Sequence, residues 1–169
     1  MRGKAVKLGD HINTDFVISG KYKFKTQDIK ELSKHIFEDL DPTLSQRIKS
    51  GTIIVAGRNF GYGSSREHAP RVIKEVGVSA VIAKSFARIF FRNAINIGLP
   101  VIVASESFID STNEGDEVSL DLEKGAIKNE TKNIEETFKP YPSFISVVMR
   151  EGGIVSYFKK YGALPWDTR

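Results

Sequence analysis

The sequence predicts a mixed α/β fold, in which a core of parallel strand–helix–strand units carries an antiparallel β annex. Short, continuously apolar runs alternate with amphipathic stretches between residues 52 and 104, as in consecutive strand–helix–strand units. Single apolar and polar residues then alternate from residue 118 to residue 122, ahead of a glycine-containing turn. The length of 169 residues suits one domain, and we expect residues 1–169 to form it.

The first third of the chain is predicted to hold one strand and one main helix. Apolar–polar alternation near the N-terminus predicts a strand that runs into a polar loop at residues 9–15. Apolar residues at helical spacing predict a helix over residues 26–37, with Thr26 or Asp28 as its N-cap. After a proline break, one or two further helical turns are expected at residues 44–48.

Three buried strands and two helices are predicted in the middle of the chain. The strands are the β-branched runs at residues 52–56, 78–83 and 99–104. The helices are residues 69–76 and 86–97, and a glycine follows each at its C-cap position.

The pattern of apolar residues changes in the C-terminal part of the chain. The alternating residues 118–122 and a turn at residues 123–125 predict an antiparallel hairpin. Beyond a second proline break, Ser143 is expected to cap a helix, and a last helix is predicted over residues 154–161.

Composition narrows the classes of function. The chain has no cysteine, and its three histidines lie far apart, so we predict no metal site on it. No apolar run reaches the roughly 18 residues of a membrane span, and the N-terminus lacks a signal-peptide pattern. We therefore expect a cytoplasmic protein with no membrane partner. The net charge of +4 comes from interspersed charges without a basic run, which argues against nucleic acid as a partner.

The best candidate for a ligand site is the segment Gly61-Tyr62-Gly63-Ser64-Ser65-Arg66, which we call the ligand loop. It follows a buried strand and precedes a helix, where ligands of open α/β sheets bind. Its glycines permit close backbone approach, while a helix N-terminus, two hydroxyls and a guanidinium favour an anion. It matches neither a P-loop, nor a dinucleotide fingerprint, nor a serine-hydrolase elbow. On these residues alone, an anion site and an ordinary glycine-rich turn both stay open.

Three motifs together resemble the swivelling domain of the aconitase superfamily. They are Asn13-Thr14-Asp15, the block at residues 59–69 that contains the Gly-Ser-Ser-Arg sequence, and the block at residues 83–100. Their order and spacing agree with that family, and a free-standing chain of this length resembles small subunits of its isopropylmalate dehydratase branch. The resemblance implies the β/β/α swivelling-domain fold. One departure is Tyr62, where the common small subunits have cysteine, and no family role is implied there.

The resemblance implies a hydro-lyase that isomerises 2-isopropylmalate and 3-isopropylmalate by removing and re-adding water. A separate large subunit would carry a [4Fe–4S] cluster on its own cysteines, and this chain would hold no cofactor. The implied substrate class is a hydroxylated di- or tricarboxylate, and a homoaconitase-type or dimethylmalate-type dehydratase is the alternative. A homo-oligomer of small subunits stays open. A non-enzymatic phosphate-binding module is the alternative from a different class.

The resemblance also assigns roles to residues of the motifs. Ser64 matches the base that takes a proton from the carbon next to a substrate carboxylate. Ser65 would donate to a substrate carboxylate, and Arg66 would clamp one and stabilise the developing negative charge. Asp15 matches a carboxylate that orients a histidine of the partner subunit, with an Asx-turn role as the alternative. We place His68 outside the predicted site.

Substrate choice is predicted to depend on residues 20–26, in the family's variable loop. Phe24 can pack against an alkyl substituent such as isopropyl, whereas Lys25 can pair with an extra carboxylate. The sequence does not decide between them. Ser85 and two nearby arginines, Arg88 and Arg92, are expected to support the ligand loop or to face the partner.

Overall fold

The structure, a computed structural model, describes residues 1–64 and 67–167, and the seven strands of this part form one sheet. They are β1 (Arg2–Lys7), β2 (Ile53–Ala56), β3 (Ala80–Ala83), β4 (Val101–Val103), β5 (Glu117–Asp121), β6 (Ala126–Asn129) and β7 (Ile134–Thr137). Their order across the sheet is β4-β3-β2-β1-β5-β6-β7.

Helices of one to three turns lie between the strands and after β7. They are α1 (Thr14–Val17), α2 (Gly20–Lys23), α3 (Ile29–Ser33), α4 (Leu44–Arg47), α5 (His68–Glu75), α6 (Arg88–Asn96), α7 (Glu106–Ser111), α8 (Ser143–Arg150) and α9 (Ile154–Tyr161). None of the helices in the described part of the chain has the length and apolar character needed to cross a membrane.

The sheet has a parallel half and an antiparallel half, which confirms the predicted fold class. Strands β1 to β4 pair in parallel, with Val6 opposite Ile54 and Ile82 opposite Ile102. Strands β1, β5, β6 and β7 pair antiparallel, with Leu120 opposite Ile127 in the predicted hairpin.

Two hydrophobic cores lie on opposite faces of the parallel strands. Ile54 and Ala56 of β2 belong to the core that α3, α5 and α6 cover. The alternate residues Ile53 and Val55 belong to the second core, which includes Phe108 of α7 and side chains of the antiparallel strands. Because every residue of β2 and β3 is buried, these strands appear in the sequence as unbroken apolar runs.

The predicted helix over residues 26–37 is shorter in the structure. Asp28 is its N-cap, as expected, and accepts a hydrogen bond from the Lys30 backbone N–H at 2.9 Å. Regular helix ends at Ser33, and Phe37 has a φ of +57°, a conformation that a right-handed helix does not contain. The apolar spacing therefore marked buried positions correctly but overstated the length of the helix.

Several short elements were not predicted from the sequence. The structure has α1 and α2 where we expected loop, and it adds α7 and β7. A four-residue helix is too short to show a periodic pattern, and β7 is a polar edge strand. The prediction that Ser143 caps a helix was wrong, because Pro142 is the N-cap and Ser143 is already helical.

Candidate functional site

Three loops meet at the carboxyl ends of β1, β2 and β3. The loop after β2 is joined to the loop after β1 by two backbone hydrogen bonds. Gly61 donates its N–H to the Ile12 carbonyl at 2.7 Å, and Thr14 donates to the Tyr62 carbonyl at 2.8 Å. Gly61 and Tyr62 of the ligand loop therefore pair with the backbone at the Asn13-Thr14-Asp15 motif through hydrogen bonds, as two β-strands do.

The loop after β3 supports the same loop from its other side. Phe60 donates its backbone N–H to the Ser85 carbonyl at 3.0 Å, and Ala87 donates to the Phe60 carbonyl at 2.9 Å. The Ser85 hydroxyl accepts a hydrogen bond from the Asn59 backbone N–H at 2.8 Å. Ser85 therefore supports the ligand loop, one of the two roles expected of it.

Two glycines make this close approach possible. Gly61 has a φ of +80°, and a Cβ added there would lie 2.3 Å from Cγ of Phe90 on α6. Gly63 has a φ of +106°, and its added Cβ would lie 2.4 Å from Oδ1 of Asn13. Both positions combine a backbone conformation that favours glycine with a neighbour that leaves no space for a side chain.

Ser64 lies half-buried beside Thr14. The Thr14 hydroxyl donates to the Ser64 carbonyl at 3.1 Å and lies 3.5 Å from the Ser64 hydroxyl. Ser64 also lines an open cavity of about 230 Å³ between the ligand loop and the first turns of α6. Thr14, Asn93 and Arg88 also line this cavity.

Two of the predicted substrate-binding residues, Ser65 and Arg66, lie outside the described residues. Their predicted roles therefore stay predictions.

Asp15 lies in the first turn of α1. The Asx-turn role belongs to Asn13, which caps α1 and accepts a hydrogen bond from the Asp15 backbone N–H at 2.8 Å. The Asp15 carboxylate is exposed and forms an ion pair with Lys23, whose Nζ lies 3.2 Å from Oδ1. Lys23 itself is only 6 % exposed.

Phe24 and Lys25 lie in solvent at the end of α2. Phe24 is 88 % exposed and forms the C-cap of the helix, and Lys25 is exposed beside it. An apolar side chain so exposed is available to a ligand or to another chain. The buried Lys23 links this helix to Asp15.

Two contacts near this site were not predicted from the sequence. One is the Lys23–Asp15 ion pair, and the other joins Gln27 Oε1 to His68 Nε2 at 3.1 Å. Lysines at residues 21, 23 and 25 alternate in the sequence, and nothing in that pattern marks the middle one as buried. For the Gln27–His68 contact, which spans 41 positions, no local signal exists.

No cluster of three or more potential metal-ligating side chains occurs within residues 1–64 and 67–167. The whole chain also lacks cysteine. These residues do not fit an iron–sulfur cluster, which proteins hold mainly through cysteine thiolates.

The fold and the three loops define a class of protein. Residues 10–106, which contain all three loops, match the family model described as the aconitase C-terminal domain. The parallel strands β2 to β4 and Ser64 lie within this matched segment, and β1 precedes it.

Comparison with individual proteins narrows this class. The chain is 50 % identical to the 3-isopropylmalate dehydratase small subunit 1 of Thermotoga maritima, with 98 % of both chains covered. It is 54 % identical to small subunit 2 of Archaeoglobus fulgidus, with 96 % of both covered. A crystal structure of 3-isopropylmalate dehydratase from Methanocaldococcus jannaschii matches with a TM-score of 0.88 at 42 % identity, over 99 % of this chain and 98 % of that one. The chain belongs to the family of 3-isopropylmalate dehydratase small subunits.

The contact between Gly63 and Asn13 predicts a defect in Gly63→Ala. We expect the substitution to lower the free energy of unfolding by about 1–3 kcal/mol, because it imposes a strained backbone and displaces the Asn13 cap. Urea denaturation measures this change. Gly9→Ala is the matched control, since no atom lies within 4 Å of its added Cβ, and we expect a change within about 0.5 kcal/mol. Equal effects of the two substitutions would contradict the proposed packing of the loops.

Proposed function

We propose that this chain is the small subunit of a two-chain hydro-lyase that interconverts 2-isopropylmalate and 3-isopropylmalate by dehydration and rehydration. Its similarity to proteins of that name over nearly the full length of both chains supports the proposal most strongly. The meeting of three motif-bearing loops beside one cavity supports it independently. We propose residues 1–169 as one domain that works in the cytoplasm.

We infer that a second chain covers the open cavity. Three large apolar side chains of the candidate site are exposed: Ile89, which lines the cavity, Phe16, which follows Asp15, and Phe24, which follows Lys23. Exposed apolar groups that surround a polar site are typical of a protein–protein interface. A large subunit would cover them, and we assign the [4Fe–4S] cluster of the reaction to that subunit.

Ser64 is proposed to accept the proton from the substrate carbon next to a carboxylate. A solvated serine is a poor base, so its alkoxide needs a dry site and nearby donors. The Thr14 hydroxyl at 3.5 Å supplies part of this environment, and Arg88 lines the same cavity. Covering of the cavity by the large subunit would exclude water and strengthen these interactions.

The remaining proposed site residues bind the substrate or orient a side chain of the large subunit. Ser65 is proposed to donate to a substrate carboxylate, and Arg66 to clamp one in a bidentate pair. Asp15 is proposed to orient a histidine of the large subunit, a role that suits its exposed carboxylate beside the site. Phe24 and Lys25 are proposed to contact the part of the substrate that differs between related hydroxy acids.

The two-chain proposal predicts that this chain alone has no dehydratase activity and binds no iron. Anaerobic co-expression with a large subunit of the same family should yield a complex that contains iron and converts 2-isopropylmalate. Iron analysis and a direct assay of the product measure this, with homoaconitate and dimethylmalate as competing substrates. Turnover by the purified chain alone, or a complex that rejects isopropylmalate but converts homoaconitate, would contradict the proposal.

Ser64→Ala is expected to lower kcat of the two-chain enzyme by about 10²–10⁴-fold, the usual contribution of a positioned general base. Assembly with the large subunit should persist, which gel filtration checks. Ser45→Ala, on the short helix α4, is the control and should leave kcat unchanged. A loss of less than tenfold at saturating substrate would remove Ser64 from this role.

Phe24 and Lys25 are expected to affect different substrates. Lys25→Ala should penalise a substrate with a third carboxylate by roughly 1.5–3 kcal/mol, the contribution of a charged hydrogen bond. Phe24→Ala should penalise an isopropyl-bearing substrate by about 1–3 kcal/mol through lost packing. The measurement is the ratio of kcat/KM between two substrates, in which effects on subunit affinity cancel. An equal change for all substrates would assign specificity to the large subunit.

A further inference from the structure

Lys23 is a lysine in an unusual position. Its side chain is 6 % exposed, whereas lysine side chains are almost never fully buried without a partner. Its partner is Asp15, at 3.2 Å, and this carboxylate remains 55 % exposed. The buried member of the pair is thus held in place by its surroundings, and the exposed member is the one that can face a ligand or another chain.

Contacts on the far side of α2 hold the helix that carries Lys23. The Tyr22 hydroxyl donates to Glu38 at 2.7 Å, and the Tyr22 ring stacks on His35 with 3.7 Å between ring centres. This hydrogen bond holds the pKa of the Glu38 carboxyl below its ordinary value. Lys21 pairs with Asp39 at 3.0 Å. These contacts hold α2 against the residues that follow α3.

Gln27, just beyond α2, also contacts the start of α5. Gln27 donates through Nε2 to the Lys23 carbonyl at 3.0 Å, and its Oε1 lies 3.1 Å from Nε2 of His68. His68 begins α5, directly after the ligand loop. Lys23 is therefore linked directly to Asp15 and, through Gln27, to the start of α5.

We propose that Lys23 is a positioning residue, which holds the Asp15 carboxylate in the orientation that the reaction requires. The proposal rests on the proposed function, because it takes the role of Asp15 from there. An exposed aspartate can adopt several side-chain conformations, and an ion pair with an immobile ammonium restricts them. Loss of such orientation lowers the rate of the chemical step more than it weakens substrate binding.

A purely structural role gives a different expectation. If the pair only offsets the cost of burying Lys23, its removal changes stability and leaves kcat of the folded enzyme intact. The kinetic constants of folded variants therefore separate the two roles.

The test uses the two-chain enzyme with Lys23→Met, which keeps an unbranched side chain of nearly the same length and removes its charge. We expect kcat to fall by about 10–100-fold, with KM within about twofold of the original value. Lys23→Arg, which keeps the charge, should restore most of kcat. Lys34→Met is the control, because it removes an exposed ion pair with Glu31, outside residues 20–26, and should leave kcat unchanged. Lys23→Gln provides a second uncharged variant if Lys23→Met does not fold.

The double variant Asp15→Asn/Lys23→Met tests whether Lys23 acts through Asp15. We expect its kcat to equal that of Asp15→Asn alone, since the second substitution then removes nothing further. Independent, multiplicative losses would overturn the proposal, as would an uncharged Lys23 variant that folds and keeps the original kcat. Failure of the proposed function is distinguishable, because the unsubstituted two-chain complex would then not convert 2-isopropylmalate.

Discussion

At the carboxyl ends of β1, β2 and β3, backbone hydrogen bonds join three loops, and the position of Ser64 depends on them. The bonds from Gly61 to Ile12 and from Thr14 to Tyr62 align the ligand loop with the Asn13 motif. They form only because Gly61 and Gly63 carry no side chain where Phe90 and Asn13 approach. Main-chain contacts thus align the loops, and the hydroxyls of Thr14 and Ser85 add side-chain hydrogen bonds to them.

This construction leaves one side of the site open. Ser64 and Arg88 line the cavity, the Asp15 carboxylate is exposed, and Ile89 is exposed at its rim. The described residues of the candidate site include a serine, an arginine and an aspartate, but no cluster of three or more potential metal ligands. This combination supports our proposal that this chain supplies Ser64 and its neighbours, whereas the large subunit supplies the [4Fe–4S] cluster.

The sequence predicted the parallel core because burial on both faces leaves unbroken apolar runs at β2 and β3. It also located the Ser64 loop, since glycine and serine between strand and helix indicate a ligand site. It did not predict α1 or α2, because four-residue helices have no repeating pattern. The burial of Lys23 was unpredictable for another reason: it depends on Asp15 and on the packing of α2, and both are properties of the tertiary structure.

Amide hydrogen exchange on this chain, alone and in complex with its large subunit and a substrate analogue, tests most directly whether these loops form half of a shared active site. We predict slower exchange in peptides from residues 10–16, 20–27 and 57–64 when the complex forms. Slower exchange confined to α8 and α9, with no change in the three loops, would contradict it.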